Sequence, residues 1–214
     1  MAPRILVVLI ASASVFTASC TRYVDAEPVA SDELSTGQSA TGAAECAEVD
    51  APLTDIESVD ADDPVLRIPQ PAGWERYSAM DNEVIRFTMT NVDLTSENFA
   101  PTVVVTLESR PGIATAAEVF DAQRESLVDG LGATDVTVAE EKLCGLPAEW
   151  VEYTTPPMGA VGRLPAQVMM AVLHTGNRTY AATVTSQTKD PLNPRYQDET
   201  AEILRGFQML APPE

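Results

Sequence analysis

The chain has 214 residues, with 32 acidic against 13 basic side chains and a formal net charge of −19. That imbalance excludes docking on nucleic acid or on anionic lipid head groups, both of which need clustered Lys and Arg. The length fits one domain plus extensions, and no internal repeat is visible.

The chain opens with a targeting pattern. Arg4 is the only charge before residue 20, and an uncharged stretch of 15 residues runs from Ile5 to Ser19. A membrane span needs about 20 apolar residues, and this stretch dilutes to Ala, Ser and Thr after Ile10. A basic start, a short apolar run and small residues read as a secretory signal over residues 1–19. Thr17-Ala18-Ser19-Cys20 resembles a bacterial lipobox, which assigns Cys20 as the lipidated first residue of the mature protein, anchored to the outer face of the cell membrane. An ordinary signal peptide with a chance cysteine is the rival reading, and Thr17 is its best support. Several acyl chains on one cysteine suffice for stable anchoring, since each buried methylene contributes about 0.8 kcal/mol.

Residues 20–45 read as a flexible acidic tether. From Thr21 to Asp63 there are twelve carboxylates against Arg22 alone, in an Ala/Ser/Thr/Gly-rich context that cannot offset its ordering entropy by burial. A flexible coil of ~24 residues reaches roughly 25–30 Å, enough to hold a domain clear of the head groups. Cys46 and Cys144 are the two cysteines besides Cys20. In an exported chain such a pair predicts a disulfide; a metal or redox role has little support from two lone cysteines, no CxxC and one histidine.

The remaining chain, residues 46–214, reads as one α+β domain. Val65–Ile68, Val84–Met89 and Val103–Leu107 are predicted strands, rich in β-branched residues. Thr115-Ala116-Ala117-Glu118 matches a capping box, and Ala116, Phe120, Leu127 and Leu131 follow as one apolar stripe ending at Gly130 and Gly132. Strands return over Thr134–Ala139 and Ala148–Tyr153. Residues 165–174 and 178–185 then flank Gly176-Asn177, a tight-hairpin signal. Asn193 and Pro194 open a final helix with Tyr196, Thr200, Ile203 and Phe207 on its buried face. Hairpin-linked strands with only two helices predict a largely antiparallel sheet covered by helices.

Catalytic constellations are hard to find. His174 is the single histidine and no GxSxG elbow accompanies it, so a serine hydrolase has no evident triad. No zinc ligand set, phosphate loop or dinucleotide fingerprint occurs, so no catalytic residue, metal or cofactor is assigned. Acidic pairs such as Glu140-Glu141 and Asp198-Glu199 read as solvated. Met and Trp are plentiful for a small core. Ordinary packing explains most of them, while an apolar, lipid-binding cleft formed by Trp74, Met80, Trp150 and Met158 is the functional alternative.

Ile68-Pro69-Gln70-Pro71-Ala72-Gly73-Trp74-Glu75 resembles the opening of the LpqN/LpqT lipoprotein family of mycobacteria and related actinobacteria. Cys144-Gly145-Leu146-Pro147-Ala148, Thr179–Val184 and Ile203–Phe207 resemble later segments of the same family, in the same order. The resemblance spans residues 46–210. It implies a PsbP-like α/β/α sandwich and a membrane-anchored envelope protein without established catalysis, linked to envelope biogenesis and to lipid-assembly machinery. The strong acidity and the Cys46/Cys144 pair depart from what all members need share. The expected function is a monomeric, non-enzymatic binding or adaptor module for a glycolipid or an envelope protein. A lipid- or ester-modifying hydrolase and a structural surface antigen are the alternatives.

Overall fold

The computed structural model describes residues 46–213. The expected signal over residues 1–19, the expected lipidation at Cys20 and the expected tether over residues 20–45 fall outside the described residues. Twelve regular elements follow one another: β1 (Leu53–Ile56), β2 (Val65–Pro69), β3 (Glu75–Arg76), β4 (Ile85–Thr90), β5 (Thr102–Pro111), α1 (Ala116–Glu125), β6 (Thr134–Leu143), β7 (Leu146–Thr154), β8 (Pro165–Thr175), β9 (Arg178–Gln187), α2 (Pro194–Gly206) and β10 (Gln208–Leu210). Seven strands form one antiparallel sheet in the order β3-β4-β5-β9-β8-β7-β6. Strands β1, β2 and β10 form a second sheet with β2 in the centre. The fold class is therefore the expected α+β arrangement with an antiparallel sheet. The short pairs β1 and β10 carry too little periodicity to be read from sequence.

Alternation along the strands divides the large sheet into two faces. Phe87, Met89, Val103, Val105, Leu107, Met169, Ala171, Tyr180, Ala182 and Val184 point to one side. There they pack with Tyr196, Ile203 and Leu204 of α2 and with Ile56, Leu66, Ile68 and Met209 of the small sheet. Val151, Tyr153, Ala166, Val168, Met170 and Val172 point to the other side, beneath Val119 and Phe120 of α1. Helices thus lie on both faces, but α1 packs over β7 and β8, near one end of the sheet.

Local chemistry sets the connections. Thr115 Oγ1 accepts from the Glu118 N–H at 3.2 Å, and the Glu118 carboxylate accepts from the Thr115 N–H at 2.8 Å, which closes the capping box. Asn193 Oδ1 accepts from the N–H groups of Arg195 and Tyr196, with Pro194 at the first helical position. Cys144 and Gly145 both take positive φ, +50° and +78°, the pattern of a two-residue type I′ hairpin between β6 and β7. The apolar stripe of the first helix departs from expectation. Residues Ser126–Leu131 widen into a π turn, which breaks the phase of the stripe and leaves Leu131 exposed.

Three contacts fasten the start of the domain. Cys46 and Cys144 form a disulfide across 98 residues. The chain-entropy model gives such a loop on the order of 4–5 kcal/mol. Glu202 on α2 accepts hydrogen bonds from the N–H groups of Asp50 and Ala51 at 2.8 and 2.7 Å. Asp63 and Arg86 form an ion pair at 2.7 Å with both side chains less than a tenth exposed. Burial alone would raise the Asp63 carboxyl, but the Arg86 hydrogen bond and the N–H groups of Asp60 and Val59 outweigh it and hold its pKa below the ordinary value. Asp63 closes the acidic run that starts at Thr21, yet unlike an exposed acid it is buried.

Gly206 ends α2 at a point of close approach. A Cβ there would overlap Val49 Cγ1 and lie 2.7 Å from Pro69 Cγ. Gly206→Ala is expected to lower unfolding stability by about 1–3 kcal/mol, in the range of overpacked cores. Urea denaturation of the two proteins side by side checks this, and an unchanged midpoint would contradict it.

Candidate functional site

The half of the large sheet not beneath α1 presents an unusual surface. Strand register aligns three rows across β4, β5 and β9: Thr90–Thr102–Gln187, Thr88–Val104–Thr185 and Ile85–Thr106–Thr183. These residues point away from the α2 side, because their neighbours Phe87, Met89, Val103, Val105, Ala182 and Val184 point toward it. Six of the nine are threonines and none is charged. All are partly exposed except Thr88, which is 2 % exposed.

Their hydrogen-bonding state is also unusual. Thr90 donates to the Pro101 carbonyl at 2.9 Å. Among the described residues, Thr88 Oγ1 is buried without a hydrogen-bond partner, and the hydroxyls of the partly exposed Thr102, Thr106, Thr183 and Thr185 bond no other protein group, which leaves them open to solvent or to a ligand. For Thr88 this means a desolvated hydroxyl with nothing to bond. Tyr77, whose N–H donates to the Thr88 carbonyl at 2.8 Å, continues the β3–β4 ladder and borders the same face with a half-exposed ring.

Toward β8 the rows run under α1, reaching Ala166, Val168 and Met170. At that border a cavity of about 180 Å³ opens between α1 and the ends of β5 and β9. Val119, Ala122 and Ala181 supply apolar walls, with Glu108 and Arg110 at the rim. Glu108 accepts from the Gln123 amide at 2.7 Å. The site as a whole offers hydroxyls and methyl groups on a rigid floor beside a narrow apolar slot, and no side chain in it is placed as a nucleophile–base pair.

The residues named from sequence are spread out. Trp74 is buried on the α2 side, near the first turns of that helix, and its indole N–H donates to Glu199 at 2.7 Å. Trp150 packs at the margin of the same core, where Arg205, at the end of α2, lies 5.1 Å from its ring centroid. Met80 sits on the 3-10 turn Ser78–Met80 and Met158 precedes the turn Gly159–Val161, both exposed. None of the four lines the cavity at α1. His174 donates from Nε2 to the Ala114 carbonyl at 2.7 Å, bracing the segment that leads into α1.

Glu199, taken from sequence as solvated, is a junction. It accepts from Trp74 Nε1, from Asn91 Nδ2 at 3.3 Å and from Arg195 Nε at 2.7 Å. Its carboxylate raises the pKa of the Arg195 guanidinium above its ordinary value. Gly73, at φ +91°, brings the backbone against Asn91 and Arg195. The Pro-x-Pro-x-Gly-Trp run is therefore a clamp on α2; the threonine rows depend on strand register and this junction on how α2 packs, neither of which is local in sequence.

No family model matches the chain, and neither does any curated protein sequence. Among solved structures the chain is similar to LpqN, involved in cell envelope biogenesis of Mycobacterium tuberculosis, with 15 % identity and a TM-score of 0.60 over 74 % of this chain and 91 % of that one. It is also similar to PA94, a Pseudomonas aeruginosa protein of unknown function, at 14 % identity and a TM-score of 0.44 over 71 % and 95 % of the two chains. The Saccharomyces cerevisiae Ran-binding protein Mog1p follows, at 11 % and 0.42 over 73 % and 86 %. The likeness to LpqN establishes a shared fold; the other two, at their TM-scores, carry no argument.

Replacing Glu199 with Gln removes the charge from three hydrogen bonds at once. Glu199→Gln is expected to cost about 1–3 kcal/mol and to shift the fluorescence of Trp74. Thermal melts followed by tryptophan emission check both, and an unchanged spectrum and midpoint would contradict the junction.

Proposed function

We propose that this chain is a non-catalytic binding module of the cell envelope, held to the membrane by a lipid on Cys20 and offering an uncharged sheet face to its partner. The observation that carries the reading is the half-sheet of six uncharged, register-aligned threonines, five of whose hydroxyls bond no other protein group among the described residues. The fold shared with LpqN, a protein of cell envelope biogenesis, supports the envelope assignment, as does the lipobox-like start. Membership of the LpqN/LpqT family fits the same features. The use of His174 as a strut to a backbone carbonyl agrees with a role other than hydrolysis. The partner is a glycolipid or an envelope-assembly protein, met by a monomer that the acidic tether holds off the head groups.

Fractionation of an actinobacterial host making the full chain tests the anchor. The wild-type chain should sediment with membranes and take up labelled palmitate, while Cys20→Ser should do neither and appear in the soluble or secreted fraction. Equal membrane association of both chains would overturn the lipid anchor.

A further inference from the structure

Resting on the reading of the open half-sheet as a docking surface, we infer that its ligand is a neutral, polyhydroxylated glycan chain lying across β4, β5 and β9. Each threonine hydroxyl both donates and accepts, as each sugar hydroxyl does. Five of them stand unpartnered in register, spaced about 4.8 Å apart from strand to strand. The threonine methyl groups, with Val104 and Ile85, supply apolar contact for the C–H faces of pyranose or furanose rings, and Tyr77 adds a half-exposed aromatic ring at the border.

Thr88 is the independent observation. Its hydroxyl shares the row with Val104 and Thr185, is 2 % exposed, and has no partner. A buried hydroxyl without a bond is kept at a cost, and a ligand hydroxyl inserted beside Tyr77 would satisfy it.

Charge selects among occupants. A chain with net charge −19 repels acidic glycans and repels a second copy of itself. Glu75, opposite Thr90, stands at one end of the face and reinforces that exclusion, while Glu108 at the other end is balanced by Arg110. A basic ligand would find carboxylates elsewhere but none within the three rows. A protein partner anchors best on aromatic, aliphatic or Arg side chains in pockets, which the hydroxyl rows do not provide.

The test uses the detergent-solubilised full chain on an array carrying neutral and acidic glycans. Binding to neutral members, at least tenfold above acidic ones, is expected. The triple variant Thr106→Val, Thr183→Val, Thr185→Val keeps shape and strand preference while removing three hydroxyls; it should bind at least tenfold more weakly with an unchanged melting temperature. Should the triple variant melt early, the single Thr185→Val is read instead, with a weaker but measurable loss. Preference for acidic glycans, or undiminished binding by a folded valine variant, would overturn the inference. If no glycan binds, amide exchange in the presence of an organic extract of envelope lipid separates the two readings. Protection of β5 and β9 would put a lipid in place of the glycan chain on the docking face, and no protection would overturn both the glycan and the lipid as its occupant.

Discussion

The period-two alternation of β4, β5 and β9 is the constraint from which the candidate site follows. Phe87, Met89, Val103, Val105, Leu107, Tyr180, Ala182 and Val184 must face α2 to complete the main core, so the residues between them are committed to the opposite face. What covers that face is limited by size. Seven strands span about 29 Å, whereas a ten-residue helix is about 15 Å long and ~10 Å across. Helix α1 can therefore shield only part of the sheet, and it settles where Val151, Val168, Met170 and Val172 offer apolar contact. The other half carries threonines, which tolerate partial exposure and keep a strong preference for strands.

Much of the fold was legible because its signals are local. The capping box at Thr115, the Asn193-Pro194 helix start and the Gly176-Asn177 hairpin each depend on residues a few positions apart, and each stands where expected. The π turn at Ser126–Leu131 was not legible, since it changes the phase of a stripe that otherwise reads as ordinary helix. The threonine face was invisible for a different reason. Thr88, Thr106 and Thr183 are far apart in sequence, and only the register of three strands sets them side by side. From sequence Trp74 reads as one wall of an apolar cleft and as part of the Ile68–Glu75 run, but its role depends on Glu199, 125 residues away.

The attachment of the chain also orients the molecule. The disulfide fixes Cys46 to the tip of the β6–β7 hairpin, and Glu202 binds the following segment to α2. The domain is thus entered on the α2 side of the large sheet, and the threonine face lies on the other side. The buried Asp63–Arg86 pair and the Glu199 junction hold the small sheet and α2 against the large one, on the face opposite the threonine rows.

The central claim is that the threonine face is where this protein meets its partner. Site-specific photocrosslinking in intact cells tests it most directly, with a photoreactive phenylalanine analogue placed at Thr183 in one strain and at exposed Asp198 on α2 in another. The account predicts a discrete crosslinked species from position 183 and none from position 198. Crosslinks from position 198 alone, or from neither position, would contradict it.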